Sequence, residues 1–253
     1  MQAYRDSFAS IYNLRWGDFA RYFAPRIRQY YESTPVGQEN KSMLDLCCGA
    51  GHLALHFLEA GYRVTGIDLS QAMLQYARKN TEDYNQDDQV VLIQADAADF
   101  VLSKPVGLVV STYDSLNHLE NFSALKSCFH SVYAALLDGG TFIFDLNTRA
   151  GLKAQWNNIA VEDTEELTLI TRSIFDEENE RAWTHISGFL RQESGLYTRF
   201  EETAFNTVFE MNAVRDALLE TGWQQVDFAC GQDLNVSITN PEDKRRVFFI
   251  ARK

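Results

Sequence analysis

The sequence is poor in cysteine, in proline and in basic side chains. Four cysteines occur in 253 residues and none of them form a Cys-x-x-Cys pair, so the pattern predicts neither a zinc knuckle nor a disulfide framework. Free thiols are typical of a reducing cytoplasm, where we expect the protein to reside. Lysine and arginine number 23 against 35 acidic residues, a formal net charge of −12. Nucleic acids and anionic membranes attract basic surfaces, so this charge disfavours both as partners.

The sequence also lacks long hydrophobic segments. No apolar run approaches the roughly 18 residues of a transmembrane helix, and residues 1–6 offer neither the basic start nor the apolar core of a secretory signal. With 45% hydrophobic and 23% charged residues, the composition is that of a globular protein. The length predicts one large domain, or one domain that carries a smaller insertion.

The beginning of the chain predicts a helix. Tyr4, Phe8, Ile11 and Tyr12 fall on one helical face, which Trp16 continues. Two interpretations stay open. The helix packs on the core as an ordinary amphipathic element, or it closes over a cofactor with Tyr12 and Trp16 facing the ligand.

Short apolar runs alternate with helical stretches from residue 43 onward. Because strands that alternate with helices need right-handed crossovers, this rhythm builds a parallel sheet with helices on both faces. Ser70 is well placed to cap the second of these helices. The sequence therefore predicts a doubly wound α/β domain, whose first five strands fall at residues 43–47, 62–67, 90–93, 107–110 and 141–144.

The rhythm changes after residue 160. Residues 167–175, 182–192 and 196–209 predict consecutive strands separated by polar turns, which indicates an antiparallel insertion. A helix at 211–221 and two further strands then complete the main sheet. We expect three parts: an N-terminal helical cover at 1–40, a main α/β domain at 41–150 and 210–253, and an antiparallel β insertion at 151–209 that covers the substrate site.

The segment at residues 44–54 crosses the first strand-to-helix junction and contains Gly49 and Gly51. Glycine lets the backbone turn tightly and lets a ligand approach without a Cβ collision. The following helix directs its unpaired N–H groups at whatever binds there. Asp68 ends the second strand, where a carboxylate can accept hydrogen bonds from ribose hydroxyls. These residues predict an adenosine-type ligand and leave its identity open.

Four further landmarks surround this glycine loop. Asp45 precedes it, the segments at 94–97 and 112–119 follow the third and fourth strands, and the segment at 136–140 precedes the fifth. Together with the loop they resemble the class I S-adenosylmethionine-dependent methyltransferases. Cys47 departs from the usual motif, because it stands where that motif has its first glycine.

The resemblance extends to a small-molecule branch that is similar to amino-sugar and glycine N-methyltransferases. It is carried by Asp-Ser-Leu-Asn-His-Leu at 114–119, by the end of the fifth strand at 144–147, and by the antiparallel stretch before Glu202. In that branch a histidine often follows the glutamate that matches Glu202. Thr203 follows it here, so no catalytic base is carried over from the insertion.

The resemblance implies a Rossmann-like fold with a mostly parallel, seven-stranded sheet and S-adenosyl-L-methionine as the cofactor. The glycine loop would hold the methionine part, Asp68 the ribose, and Asp96 with Ala97 would border the adenine. Alternatives remain open for three of these carboxylates. Asp68 could be a turn carboxylate, Asp99 could take the place of Asp96, and Asp45 could have a purely structural role. The implied cofactor-binding residues are Tyr12, Asp45, Cys47, Gly49, Gly51, Asp68, Leu69, Met73, Asp96, Ala97 and Thr112.

Methyl transfer is an in-line displacement from a reactive sulfonium, so the protein mainly aligns the acceptor and excludes water. A general base is needed only where the acceptor must lose a proton. His118 is the candidate base because histidine titrates near pH 6.5. The alternative is that its side chain faces solvent at a helix start. Tyr113 lies on the same loop and is the second catalytic candidate. Asp114 binds substrate or caps a turn. The implied substrate-binding residues are Trp16, Asp114, Asn117, Asn147 and Glu202.

The leading hypothesis is a methyltransferase that acts on nitrogen or oxygen of a small molecule, with a homodimer left open. A NAD-dependent oxidoreductase accounts for the glycines and Asp68 but leaves Asp96 unexplained. A non-catalytic module that binds the same cofactor would show the same loop chemistry. His52 and His56 have the spacing of two ligands on one helix face, but no acidic third ligand accompanies them, so no metal is expected.

Overall fold

The computed structural model describes residues 6–85 and 88–253, and Tyr4 lies outside these ranges. An eight-stranded sheet forms its centre, with the order β11-β10-β12-β5-β4-β1-β2-β3. Neighbouring strands from β5 to β3 are parallel, whereas β12 pairs antiparallel with both β5 and β10. The strands of this sheet are β1 (Ser42–Leu46), β2 (Arg63–Asp68), β3 (Val90–Gln94), β4 (Val106–Ser111), β5 (Leu136–Asn147), β10 (Gln225–Cys230), β11 (Asp233–Ser237) and β12 (Arg246–Arg252).

The predicted doubly wound α/β architecture is confirmed, with one strand more than the seven expected. The additional strand is β11, which lies at the edge of the sheet and buries only Leu234. A strand with one buried residue shows no alternation of apolar and polar positions, so the sequence pattern gives no signal for it.

Helices cover both faces of the main sheet. Their bounds are α1 (Asp6–Arg15), α2 (Asp18–Glu32), α3 (Pro35–Glu39), α4 (His52–Glu59), α5 (Gln71–Asn80), α6 (Phe122–Ala135), α7 (Arg149–Gln155) and α8 (Met211–Thr221). Local sequence sets several of these ends. The Ser70 hydroxyl accepts the Met73 N–H at 3.2 Å at the start of α5, as predicted, and Gly222 takes a left-handed φ of 112° to end α8.

A second sheet of four antiparallel strands follows β5 in the chain, in the order β6-β7-β8-β9. These strands are β6 (Asn158–Asp163), β7 (Leu167–Asp176), β8 (Arg181–Arg191) and β9 (Tyr197–Thr207). The last three agree with the predicted strands of the insertion. The strand β6 was not predicted, because most of its residues are exposed and it lacks a buried face.

Two apolar layers hold the helices on the main sheet. Side chains of α2 and α4 pack on one face with Met43, Leu108 and Ile250. Side chains of α6 and α8 pack on the other face, where Phe144 stacks on Phe249 with 4.6 Å between ring centroids and 7° between planes. None of the helices within the described ranges has the length and apolar character to cross a membrane.

The Phe144–Phe249 stack yields a stability prediction. Phe249 on β12 is fully buried and belongs to the same apolar layer as side chains of α8. Phe249→Ala should lower the free energy of unfolding by about 3–5 kcal/mol, since it removes a large side chain and leaves a cavity. Urea denaturation measures this loss. The control Leu219→Ala, at a position 44% exposed, should change it by no more than about 0.5 kcal/mol. Equal losses would contradict this description of the core.

Candidate functional site

The glycine loop after β1 contains three residues in the left-handed backbone region. They are Cys47, Gly49 and Gly51, with φ of 62°, 53° and 78°. Cys47 therefore adopts the conformation for which the usual motif has glycine, at the energetic cost that a side chain brings there. A Cβ on Gly49 would lie 3.5 Å from the Tyr12 ring, so α1 passes directly over the loop.

Asp45 caps the helix that follows this loop. Gly51 stands at the N-cap position of α4 without a capping side chain, and the Asp45 Oδ2 accepts the Ala54 N–H at 3.1 Å. The carboxyl group comes from the adjacent strand and satisfies one of the N–H groups that a helix start leaves unpaired. Asp45 is only 3% exposed, and burial raises its pKa from the ordinary 3.8 to about 7, with a smaller contribution from Asp68.

Asp68 fastens the loop to the end of β2. Its Oδ2 accepts the Gly49 N–H at 2.8 Å and its Oδ1 accepts the Ser70 N–H at 2.8 Å. Burial raises the pKa of this carboxyl group, and these backbone hydrogen bonds act in the opposite direction. A third backbone hydrogen bond comes from Leu69, and the carboxylate, with about four acceptor sites, can still accept a hydrogen bond from a bound molecule.

The helix α1 is tied to the loop through Asn13. The Asn80 Nδ2 donates to the Asn13 Oδ1 at 2.7 Å and to the Ala50 carbonyl at 2.8 Å. The ring of His52 contacts the Asn13 carbonyl at 3.2 Å. These contacts hold α1 beside the loop. Its rings Phe8 and Tyr12 and the following Trp16 form an aromatic group with 5.4–6.3 Å between ring centroids.

The loop after β4 has an unusual backbone. Tyr113 and Asp114 are consecutive non-glycine residues with positive φ, at 64° and 48°. The Asp145 carboxylate, fully buried on β5, accepts both of their N–H groups at 2.7 and 3.0 Å. Such strained positions persist where the surrounding structure fixes them, and they cluster at functional sites.

Arg246 joins this loop to β12. Its guanidinium pairs with Asp145 and, through Nη2, with the Asp114 Oδ1 at 2.6 Å. The other Asp114 oxygen accepts the Asn206 Nδ2 at 2.7 Å, which links the second sheet to the same network. Burial, with a smaller contribution from the neighbouring carboxylate of Asp114, raises the pKa of Tyr113 to about 12, so its phenol keeps its proton at neutral pH.

His118 and Asn117 hold the loop against β9. His118 is half-buried and forms a hydrogen bond with the Phe205 backbone, and burial lowers its pKa, so the ring is neutral at pH 7. Asn117 is fully buried, and its Nδ2 donates to the carbonyls of Asn147 and Thr207 at 3.2 and 3.0 Å. Asn117 thereby joins the main sheet to the second sheet.

A cavity of about 440 Å³ opens where the two sheets and α1 meet. This volume lies in the range of about 300–1,000 Å³ that is usual for small-molecule sites. The cavity brings together many of the predicted site residues, namely Tyr12, Trp16, Cys47, Gly49, Asp68, Met73, Tyr113, Asp114, His118 and Asn147. A smaller adjoining cavity is lined by Asp45 and Thr112, and it shares Tyr12, Trp16, Cys47 and Tyr113 with the larger one.

Six predicted residues lie outside the walls of both cavities: Gly51, Leu69, Asp96, Ala97, Asn117 and Glu202. The Asp96 Oδ1 accepts the Ala98 N–H at 2.8 Å, and Gly51 approaches Ala77 closely enough that a Cβ would lie 3.2 Å from the Ala77 Cβ. Their predicted roles in binding stay predictions.

Sequence reasoning missed Arg246, Asn206 and Trp156. All three line the larger cavity, and the Trp156 Nε1 donates to the Thr184 Oγ1 at 2.9 Å. An arginine beside the apolar run of a buried strand was the one available signal for Arg246. Among the described residues, no group of His, Cys, Asp and Glu has the arrangement of a metal site.

The raised pKa of Asp45 yields a pH prediction. Because the folded state favours the protonated carboxyl group, its stabilising contribution is complete below about pH 4 and is lost as the pH rises through about 7. Urea denaturation from pH 5 to 8 should show wild-type stability falling relative to Asp45→Asn, which cannot ionise. The surface control Asp216→Asn should run parallel to wild type. A constant difference between Asp45→Asn and wild type would contradict the shift.

Comparisons with known proteins agree with this geometry. Residues 43–140 match the family model of the methyltransferase domain. YqeM of Bacillus subtilis (strain 168), a protein named as a methyltransferase, is 26% identical over 85% of this chain and 85% of its own length. The dTDP-3-amino-3,4,6-trideoxy-alpha-D-glucopyranose N,N-dimethyltransferase of Streptomyces venezuelae is 32% identical over 42% of this chain and 43% of its own.

A solved structure shows the same fold over the whole chain. The S-adenosylmethionine-dependent methyltransferase from Clostridium acetobutylicum ATCC 824 superposes with a TM-score of 0.79 at 22% identity, covering 97% of both chains. The domain match contains the glycine loop, Asp45, Asp68 and the loop after β4, the features on which the resemblance rests. Residues 43–140 therefore match a methyltransferase domain, and the chain has the fold of an S-adenosylmethionine-dependent methyltransferase.

Proposed function

We propose that this enzyme methylates the nitrogen of a small, hydroxyl-bearing amine, and that an amino sugar is the class of acceptor. The observation that carries this proposal is the chemistry of the cavity lining outside the glycine loop, α1 with the following Trp16, β2 and α5. Besides Tyr113, Asp114, His118, Arg246 and the apolar Ile186 and Ala204, this lining consists of uncharged side chains that both donate and accept hydrogen bonds, together with an indole ring: Ser115, Asn147, Gln155, Trp156, Thr171, Ser173, Thr184 and Asn206.

Such a lining suits a polyhydroxylated acceptor. Hydroxyl groups match neutral amide and hydroxyl partners, and a few placed polar groups fix the orientation of a ligand in its pocket. Trp16 and Trp156 add flat apolar surfaces at the same cavity. The relative from Streptomyces venezuelae is named for N,N-dimethylation of an amino sugar, which supports the same acceptor class.

The opposite end of the cavity suits the cofactor. A Cβ on Gly49 would lie in ordinary contact with the Tyr12 ring, at 3.5 Å, and the Asp68 carboxylate lines the cavity, where it can accept hydrogen bonds from ribose hydroxyls. Asp45 lies in the adjoining cavity, where a cationic amino group would stabilise its charged form. Bound S-adenosylmethionine supplies a sulfonium methyl group. We assign to Met73, Leu69, Asp96 and Ala97 the predicted contacts with its adenosine part.

The chain itself aligns the acceptor, excludes water and receives a proton. With S-adenosylmethionine bound, transfer would form a bond between the acceptor nitrogen and the methyl carbon, and the electron pair of the broken carbon–sulfur bond would stay on the sulfur of S-adenosylhomocysteine. The N–H proton passes to His118, which is neutral because burial lowers its pKa. Tyr113 keeps its proton and serves as a hydrogen-bond donor.

The lowered pKa of His118 favours nitrogen over oxygen as the methylated atom. A neutral amine attacks with its own lone pair, so its N–H proton need not leave before the bond to carbon forms, and a weak base is sufficient to receive it. An aliphatic hydroxyl is a very weak acid, so a histidine whose basicity is reduced activates it poorly.

Several expectations accompany this proposal. We propose that residues 1–40 and 151–209 cover a site built by residues 41–150 and 210–253, with Trp16, Asp114, Asn117, Asn147 and Glu202 on the substrate side. A cytoplasmic location, a homodimer and the absence of nucleic-acid and membrane partners stay predictions.

Calorimetry tests the cofactor site. S-adenosylmethionine and S-adenosylhomocysteine should bind with saturation, whereas NAD should give no response. Asp68→Ala should weaken both at least about tenfold, or about 1.4 kcal/mol, because it removes the acceptor for the ribose hydroxyls and releases the Gly49 N–H. The exposed control Asp18→Ala should bind as wild type does. Saturable NAD binding without sulfonium binding would overturn the proposal.

The pH dependence of turnover tests His118. With an amino sugar, free or nucleotide-linked, as acceptor, protonation of the amine lowers the rate of wild type and His118→Ala alike, and protonation of His118 should add a further loss of rate below about pH 6.5 in wild type alone. His118→Ala should lack this further loss and slow transfer by about 10²–10⁴, with S-adenosylhomocysteine affinity unchanged. Release of S-adenosylhomocysteine measures the rate. An unchanged profile in His118→Ala would dismiss the residue as the base.

A further inference from the structure

Two asparagines on the acceptor side of the cavity differ in how their amides are bonded. Asn147 ends β5 and is 1% exposed, and among the described residues its Oδ1 and Nδ2 have no hydrogen-bond partner. Asn206 lies on β9, is 3% exposed, and donates its Nδ2 to Asp114. Both line the cavity. Buried polar atoms are nearly always bonded, so the Asn147 amide indicates a partner that binds from the cavity.

The backbone around both asparagines is fixed by Asn117. The Asn147 N–H donates to the Asn117 Oδ1 at 2.9 Å. The Asn117 Nδ2 donates to the carbonyls of Asn147 and of Thr207, the residue after Asn206. The two amides therefore belong to one rigid junction between the main sheet and the second sheet.

The orientation of the Asn206 amide is set by charge. An ionised carboxylate only accepts hydrogen bonds, so Asp114 takes the NH₂ end of the amide. Arg246 holds the other oxygen of the same carboxylate at 2.6 Å, which fixes the position of Asp114. The Asn206 Oδ1, which only accepts, is then the atom left to contact a bound molecule.

We propose that the Asn206 Oδ1 accepts an N–H of the reacting amine and that the Asn147 amide binds a hydroxyl group beside it. A hydroxyl both donates and accepts, which matches the two unsatisfied atoms of Asn147. The inference rests on the proposed function and names the residues that select its acceptor. With one N–H held by Asn206, the lone pair of the neutral amine is free to face the methyl group.

This arrangement also limits the number of methyl groups. Neutral primary and secondary amines carry an N–H, whereas a neutral tertiary amine has none to donate to Asn206. Methylation therefore ends at the tertiary amine. Mass spectrometry of products from D-glucosamine should show N-methyl and N,N-dimethyl forms without the trimethyl form.

Binding to the complex with S-adenosylhomocysteine tests the inference without turnover. D-glucosamine and its N,N,N-trimethyl derivative differ in N–H groups at every pH, and wild type should bind the former at least about tenfold more tightly, about 1.4 kcal/mol. Asn206→Leu should reduce this preference to threefold or less. Thr203→Val, on the same strand opposite His185 and outside the cavity wall, should retain it.

Asn147→Leu provides a second measurement, since its side chain has no protein partner among the described residues to lose. Wild type should bind trans-2-aminocyclohexanol at least about tenfold more tightly than cyclohexylamine, about 1.4 kcal/mol, and Asn147→Leu should bind the two alike. The inference is overturned if wild type binds the two members of either probe pair equally. It is also overturned if Asn206→Leu keeps the preference for D-glucosamine or Asn147→Leu keeps the preference for trans-2-aminocyclohexanol. If the inference fails but wild type still binds S-adenosylhomocysteine and methylates amines, the proposed function stands. If wild type does neither, the proposed function is refuted as well.

Discussion

The buried ion pair between Asp145 and Arg246 determines the geometry of the acceptor side. Asp145 accepts the N–H groups of two consecutive residues with positive φ, which turns the loop after β4 toward the cavity. Removing such a charge from water is costly, and the cost is offset only because the guanidinium and both N–H groups surround the carboxylate. Arg246 extends the network to Asp114, and Asp114 extends it to Asn206 on the second sheet. One charge cluster thus positions three parts of the chain around the acceptor.

The cofactor side is organised differently, by carboxylates that bind backbone N–H groups. Asp45 caps α4 and Asp68 ties Gly49 to Ser70, so each acidic side chain supports the loop while lining one of the two cavities. Burial raises the pKa of both carboxyl groups, so a nearby cation or hydrogen-bond donor would stabilise the charged form of each. A ligand with a positive charge and hydroxyl groups supplies both, which is why structural and binding roles coincide in these residues.

The covering elements complete the site by contacts that are distant in sequence. Asn13 on α1 meets Asn80 on α5 and His52 on α4, and Asn117 joins β5 to β9. The second sheet contributes every cavity residue from position 171 to position 206. Its cavity residues are all uncharged, and four of the six are polar, in contrast to the acidic Asp45 and Asp68 on the cofactor side.

The sequence by itself determined the alternation of strands and helices, the glycine loop with Asp45 and Asp68, and the loop that bears Tyr113 to His118. These features depend on local patterns, namely hydrophobic period, turn chemistry and the ends of parallel strands, which a single segment records. Only the tertiary structure decided that Arg246 pairs with Asp145 and Asp114, that Asn206 reaches the same cluster, and that the edge strands β6 and β11 form. Arg246 is separated in sequence from Asp145 by 101 positions and from Asp114 by 132, and such distant ion pairs leave no periodic signal. Edge strands bury too few residues to show an alternation of apolar and polar positions.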